Sequence, residues 1–127
     1  MSREIFYFNK KIAENKEQNQ AVKGIVPAFK NILEGNLQPP YLVHGPPGTG
    51  KSATLKEEMQ QVLKLLPEGK KILIAAPSTT AVDLLATGLL EDGETKILWW
   101  YGLQRDIATI PESLNCIPIS VTLMRRM

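Results

Sequence analysis

One cysteine in 127 residues, Cys116, is too few for an internal disulfide, which excludes a disulfide-stapled secreted framework and fits a reducing cytosolic or nuclear setting. An inert thiol is the expectation for it. One histidine, His44, has no Ser, Cys or second metal ligand at useful spacing, so a zinc centre or a histidine dyad is excluded and a structural role is expected. Dense basic blocks are missing too. Net charge is +2, and the Lys/Arg pairs are only Lys10-Lys11, Lys70-Lys71 and Arg125-Arg126, so any contact with nucleic acid must be local. The longest apolar run, Ile72 to Pro77, is far below the ~20 residues that span a bilayer. Ile5 to Phe8 gives way at once to Asn9-Lys10-Lys11, which is no signal peptide, and a location away from membranes follows as the default. With 43% hydrophobic and 22% charged residues, the chain has the composition of one modest globular domain.

What is present is concentrated in one place. Gly45-Pro46-Pro47-Gly48-Thr49-Gly50-Lys51-Ser52 is a complete G-x-x-x-x-G-K-[ST] loop between a short apolar run and a long amphipathic one. Its glycines allow positive φ, so that main-chain N–H groups turn inward on phosphate oxygens, and the helix that follows aims the positive end of its dipole at the same anion. Lys51 supplies a mobile charge for the β- and γ-phosphates; Ser52 supplies a hydroxyl ligand for Mg²⁺. The expected ligand is a nucleoside triphosphate with Mg²⁺.

Around the loop, periodicity predicts a helix over about 16–33, with Val22, Ile25, Val26, Phe29, Ile32 and Leu33 at helical spacing. Pro27 is expected to kink or split it, and Asn15 with Gln18 has capping spacing. Tyr41 to His44 reads as a buried strand, Gly50 to Leu66 as a helix with Leu55, Met59, Val62, Leu63 and Leu66 on one face, and Lys71 to Ala76 as a second strand covered on both sides. Thr80 to Leu90 reads as a helix opened by a Thr80–Asp83 capping box; Ile97 to Tyr101 reads as a third strand. The β-α-β-α-β order predicts an α/β fold on a parallel sheet with right-handed crossovers. Residues 105–115 read as loop or a short helical turn, and 117–124 as one further strand. Trp99 and Trp100 are expected to pack in the core, while Glu57-Glu58 and Lys10-Lys11 read as solvated faces.

The loop variant is shared by AAA+ ATPases and by superfamily 1 helicases of the nonsense-mediated-decay type. Asn15 to Val22 resembles the Q motif of those helicases, and Ala76-Pro77-Ser78-Thr79-Thr80-Ala81-Val82-Asp83 resembles their motif Ia. Arg105-Asp106-Ile107 with Ile110-Pro111-Glu112 is similar to a segment of the Armitage-like branch, the RNA helicases of small-RNA silencing. The resemblance runs from about Phe8 to Leu114. It implies a RecA-like P-loop NTPase fold, a three-layer parallel sheet, with residues 1–14 as a lead-in and 15–127 as an incomplete helicase ATP-binding domain. It further implies ATP at Gln18 and at Gly45 to Ser52, single-stranded RNA backbone at Pro77, Ser78, Thr79 and Thr80, RNA-silencing proteins as partners, and a cytoplasmic or nuclear location. A Gln amide can read the N6/N7 edge of adenine, and the same residue can serve the Asn15 cap. Hydroxyls and free N–H groups at a helix start can hold a phosphate, or Ser and Thr there can simply cap it. Thr79 departs from the usual Asn and loses that amide's paired donors.

Hydrolysis also needs an acidic residue for the metal, one that orients water, and an arginine. The family carries these in an Asp-Glu motif and later motifs, expected beyond Met127 with the flanking strands; Glu91-Asp92 imitates the motif poorly. Residues 117–127 fit the family poorly and read either as a divergent strand or as the end of a truncated or alternatively spliced product. Open sheet edges are expected to make such a chain prone to association. The leading expectation is the amino-terminal part of a helicase motor that binds nucleotide without turnover; the alternatives are a non-enzymatic regulator of a helicase and an AAA+ fragment.

Overall fold

The computed structural model describes residues 4–93, 97–99 and 105–114. Among them lie four α-helices, α1 (Lys10–Glu14), α2 (Lys16–Leu33), α3 (Lys51–Leu65) and α4 (Thr79–Glu91), and two 3-10 turns, Ile107–Thr109 and Glu112–Leu114. The chain divides into two units, Met1–Ile72 and Leu73–Met127.

In the first unit, Asn9 and Asn15 open α1 and α2 by accepting hydrogen bonds from Lys11 N and Gln18 N. This satisfies first-turn donors that the helix itself leaves orphaned. The lead-in expected over 1–14 thus contains a helix. Its one buried residue is Ile12, too sparse a signal for periodicity to register. Helix α2 runs unbroken through Pro27, which neither ends nor splits it. Pro27 lies on an exposed face, and Val22 and Val26 point inward.

Helix α3 departs from expectation in which face it buries. Thr54, Glu57, Glu58, Gln60 and Gln61 are buried, whereas Leu55 is exposed and Met59, Val62, Leu63 and Leu66 are half-buried. The polar stripe is taken up by the segment before α1. Glu57 accepts hydrogen bonds from Phe8 N (3.0 Å) and Asn9 N (2.9 Å), and Gln61 donates to Phe6 O (2.8 Å) and to Glu57 (2.8 Å). Lys64 Nζ lies 3.9 Å from the centroid of the Phe8 ring. Glu57 and Glu58 are therefore not a solvated face.

In the second unit, Ser78 opens α4, its side chain accepting from Ala81 N. The expected Thr80–Asp83 capping box does not form, because the N-cap is Ser78, two residues before Thr80, and Asp83 is held elsewhere. Arg105 donates to both Asp83 oxygens, stacks 5.3 Å from the Trp99 ring and donates to Thr109 O. The core consists of Ala86, Trp99, Ile110 and Leu114, with Val82, Leu90 and Ile97 against it. Trp99 packs inside as expected, and residues 105–114 form the expected short helical turns.

None of the three expected strands carries a ladder among the described residues. A strand exists by its neighbour's N–H and C=O groups, and an apolar run alone cannot supply them. Residues 71–76 alternate exposed and half-buried, with Leu73 88% exposed, so this segment is not covered on both faces. Trp100, Cys116 and the expected strand over 117–124 lie outside the described residues, as does part of the strand expected over Ile97 to Tyr101.

Candidate phosphate-binding site

The loop over Gly45 to Ser52 is set by two glycines at positive φ, Gly48 at 80° and Gly50 at 82°. An L-residue rarely holds that conformation. Thr49 Oγ1 donates to Pro46 O (2.7 Å) and closes the front of the loop. A Cβ on Gly45 would stand 2.8 Å from that same Thr49 hydroxyl, so a larger residue here would have to turn the hydroxyl away from Pro46 O.

Gly50 is the N-cap of α3 and supplies no side-chain cap, whereas α1, α2 and α4 are each closed by an Asn or Ser side chain. The first-turn amides of α3 stay uncapped, directed out of an exposed helix start beside Lys51 and Ser52. Orphan donors, a positive dipole end and an exposed ammonium are what a phosphate requires. The residues present fit a triphosphate on this observation, and Ser52 is exposed where a metal bound to that phosphate can reach it. Among the described residues there is no cluster of His, Cys, Asp or Glu suited to a metal.

Gln18 comes to the loop, and the Asn15 cap expected beside it forms. Its main-chain N–H takes the Asn15 cap (3.1 Å), leaving its side chain free of that role. Its amide Nε2 instead donates to Gly50 O (3.1 Å) and to Thr54 Oγ1 (2.9 Å). Capping and side-chain recognition therefore do not compete for this residue. Thr54, at 3% exposure, was not legible as a site residue; the only hint was its place four residues after Gly50, on the same helix face.

Pro77 to Thr80 belong to the second unit and are exposed. Ser78 caps α4 with its oxygen lone pair; Thr79 and Thr80 stand in the first turn with their hydroxyls on an exposed face. His44 is exposed, with no hydrogen bond among the described residues, so it is not a core residue. Glu91 ends α4 and Asp92 caps it, both exposed.

Residues 13–103 match the model of the AAA domain family. Among curated proteins the chain is 44% identical over 112 residues to a putative helicase mov-10-B.1 of Danio rerio, covering 85% of this chain and 10% of that protein. It is 40% identical over 91 residues to the RNA helicase Mov10l1 of Homo sapiens, covering 71% of this chain and 7% of that protein. With the probable RNA helicase armi of Drosophila melanogaster it shares 40% identity over 75 residues, 58% of this chain and 6% of that protein. The chain thus spans a tenth or less of the length of each. No solved structure matches it significantly. The matched span holds Gln18, the loop and Pro77 to Asp83, and stops two residues before Arg105.

Proposed function

This chain belongs to the AAA domain family, a P-loop NTPase fold, on its superfamily 1 side with the Mov10-like and Armitage-like helicases, and from that premise we propose that it is the ATP-binding portion of an ATP-dependent RNA helicase motor. The observation that carries this is the uncapped start of α3 behind two positive-φ glycines. Main-chain amides from Gly48 to Ser52 hold the phosphates, Lys51 neutralises the β- and γ-oxygens, and Ser52 is the protein's ligand to Mg²⁺. Bound Mg²⁺ supplies charge neutralisation at the terminal phosphate. The three-layer RecA-like sheet is part of the same proposal.

Thr79 and Thr80, with the first turn of α4, meet single-stranded RNA through its phosphates, a contact that carries no sequence. The helicase names of the relatives, at 40% and 44% identity, favour this over an AAA+ machine. ATP hydrolysis coupled to RNA translocation or unwinding belongs to the whole motor. A cytoplasmic or nuclear setting among RNA-silencing proteins goes with that reading.

The test is binding of a fluorescent ATP, the N-methylanthraniloyl derivative, in the presence of Mg²⁺. Lys51→Ala is expected to weaken it at least ten-fold, with the melting temperature unchanged. Equal binding by parent and variant rejects the phosphate role. Turnover is expected to be unmeasurable in this chain, since Glu91-Asp92, which imitates an Asp-Glu motif in reversed order, sits on a helix exit; RNA-stimulated phosphate release would overturn that.

A further inference from the structure

Arg105 turns its guanidinium into the second unit. Nη1 donates to Asp83 Oδ1 (2.9 Å), Nη2 to Asp83 Oδ2 and to Thr109 O (3.0 Å), and Nε to Thr109 Oγ1 (3.3 Å), while the guanidinium lies 5.3 Å from the centroid of the buried Trp99 ring. The side chains of the ion pair are 8% and 10% exposed. The RNA contact proposed above uses neither of them.

Asp83 stands three and four residues after Thr80 and Thr79, so the three share one side of α4, one turn apart, about 5 Å along the axis. Helical side chains lean toward the N-terminus, which brings the Asp83 carboxylate toward the turn that carries Thr79 and Thr80. The same turn leaves the amides of Thr79 and Thr80 without an intrahelical acceptor, since Ser78 takes the Ala81 amide. A carboxylate with its full charge at this end satisfies the positive end of the dipole and repels a phosphate that approaches it.

The geometry points to Arg105 as a positioning residue for RNA that acts through Asp83. By gripping both carboxylate oxygens it cancels their charge and holds Asp83 against the core, so the start of α4 meets a phosphate with its amides and hydroxyls alone. Arg105 itself does not reach the RNA, because its guanidinium is buried and bonded to Asp83 and Thr109. This rests on Thr79 and Thr80 being the RNA-phosphate contact. A pair that only held the fold together would weaken binding whichever member was lost, whereas a charge acting on phosphate gives the two losses opposite signs.

The experiment is fluorescence anisotropy of a fluorescein-labelled single-stranded oligouridylate with the parent chain, Arg105→Gln, Asp83→Asn and the double variant, at about 50 and about 200 mM salt, with circular dichroism melts alongside. Arg105→Gln leaves the carboxylate charge uncancelled and is expected to weaken binding about three- to ten-fold at the lower salt. Asp83→Asn removes that charge and is expected to tighten binding about two- to five-fold, and the double variant to return to within about two-fold of the parent. The higher salt is expected to narrow these gaps, since charges are screened over about 10 Å at 0.1 M.

Weaker binding by both single variants shows a purely structural pair and overturns the proposal. A double variant as weak as Arg105→Gln, with the salt slope lower by about one, overturns it in favour of Arg105 as a direct phosphate ligand. Equal binding by the parent and every variant overturns it as well and leaves the RNA contact standing. A parent chain that binds no oligouridylate brings down the RNA reading itself, and the positioning role with it. If Arg105→Gln melts below the assay temperature, Asp83→Asn decides, because a gain in affinity cannot come from a loosened helix.

Discussion

Two glycines show how different a missing Cβ can be. At Gly24, inside α2, an added methyl would fall 2.0 Å from the Tyr41 hydroxyl, which donates to Ala21 O (3.1 Å). Tyr41 is partly exposed and can swing away, losing a hydrogen bond worth about 1 kcal/mol, while alanine in a helix interior gains about as much over glycine. Gly24→Ala is therefore expected to leave urea stability within about 1 kcal/mol of the parent while freeing Tyr41, read as a changed Tyr41 ring shift by NMR. Gly50 has no such escape. Its φ is +82°, which strains any Cβ wherever the Gln18 side chain goes, so Gly50→Ala is expected to cost about 1–2 kcal/mol and most nucleotide affinity together. Full affinity in Gly50→Ala would contradict the loop geometry.

Glu58 carries the residue-scale pH dependence. It is buried, its Oε1 has no hydrogen-bond partner among the described residues, and burial lifts its carboxyl from 4.5 to about 7. The folded chain thus binds more protons than the unfolded one between those two values. Stability is fully present below the lower value and lost as pH rises through the upper one. Glu58→Gln is expected to match the parent near pH 4 and to exceed it at pH 8 by at most ~3 kcal/mol, measured by urea unfolding across pH. A parallel pH profile for parent and variant would assign the slope elsewhere.

Among the elements, α3 and α4 are each held by one buried charged group. On α3, Glu57 is 1% exposed and binds the amides of Phe8 and Asn9, so that the chain ahead of α1 is tied to the helix behind the loop. Glu57→Gln places an amide nitrogen against one of those N–H donors and is expected to cost about 1–3 kcal/mol, with faster hydrogen exchange at Phe8 and Asn9. On α4, Arg105 grips Asp83 bidentately and lies over Trp99. Removing one partner of a buried pair leaves the other charge stranded, which exceeds what the pair itself contributes. Arg105→Met is expected to lose about 3 kcal/mol, followed by tryptophan fluorescence, since both tryptophans lie in this unit. The double variant with Asp83→Leu is expected to recover much of that loss; equal damage in both would show that the ion pair is not the cause.

Element types were legible where the pattern was long. Helices α2 and α3 were placed to within a residue or so, because apolar spacing, the Asn15 cap and the phosphate loop all agree locally. The faces were not. Which stripe of α3 is buried depends on what lies beside it, and segment 6–9 meets its polar stripe 48 to 55 residues away in sequence. Short apolar runs were the weakest ground, since a strand is a property of a pair of segments and periodicity sees one at a time.

For the whole molecule, the notable property is how much apolar surface stays in water. Leu37, Leu42, Leu73 and Phe6 are each at least 77% exposed, and Leu84 and Ile107 are about as open at 69% and 72%. Single exposed leucines are ordinary; this many in a chain of 127 residues favours association. Sedimentation velocity is expected to show mass rising with concentration, and Leu42→Lys with Leu73→Lys to suppress it. A parent chain that stays monomeric throughout would show that this surface is harmless.

By itself the sequence determined that a triphosphate loop is present, which residues form it and which helicase group it resembles, because those facts reside in residue types at fixed spacing within a few turns of chain. Only the tertiary structure decided what Gln18 does with its amide, which face of α3 is buried and what Asp83 pairs with. Each of these depends on a partner more than twenty residues away, and nothing local to either residue encodes that meeting.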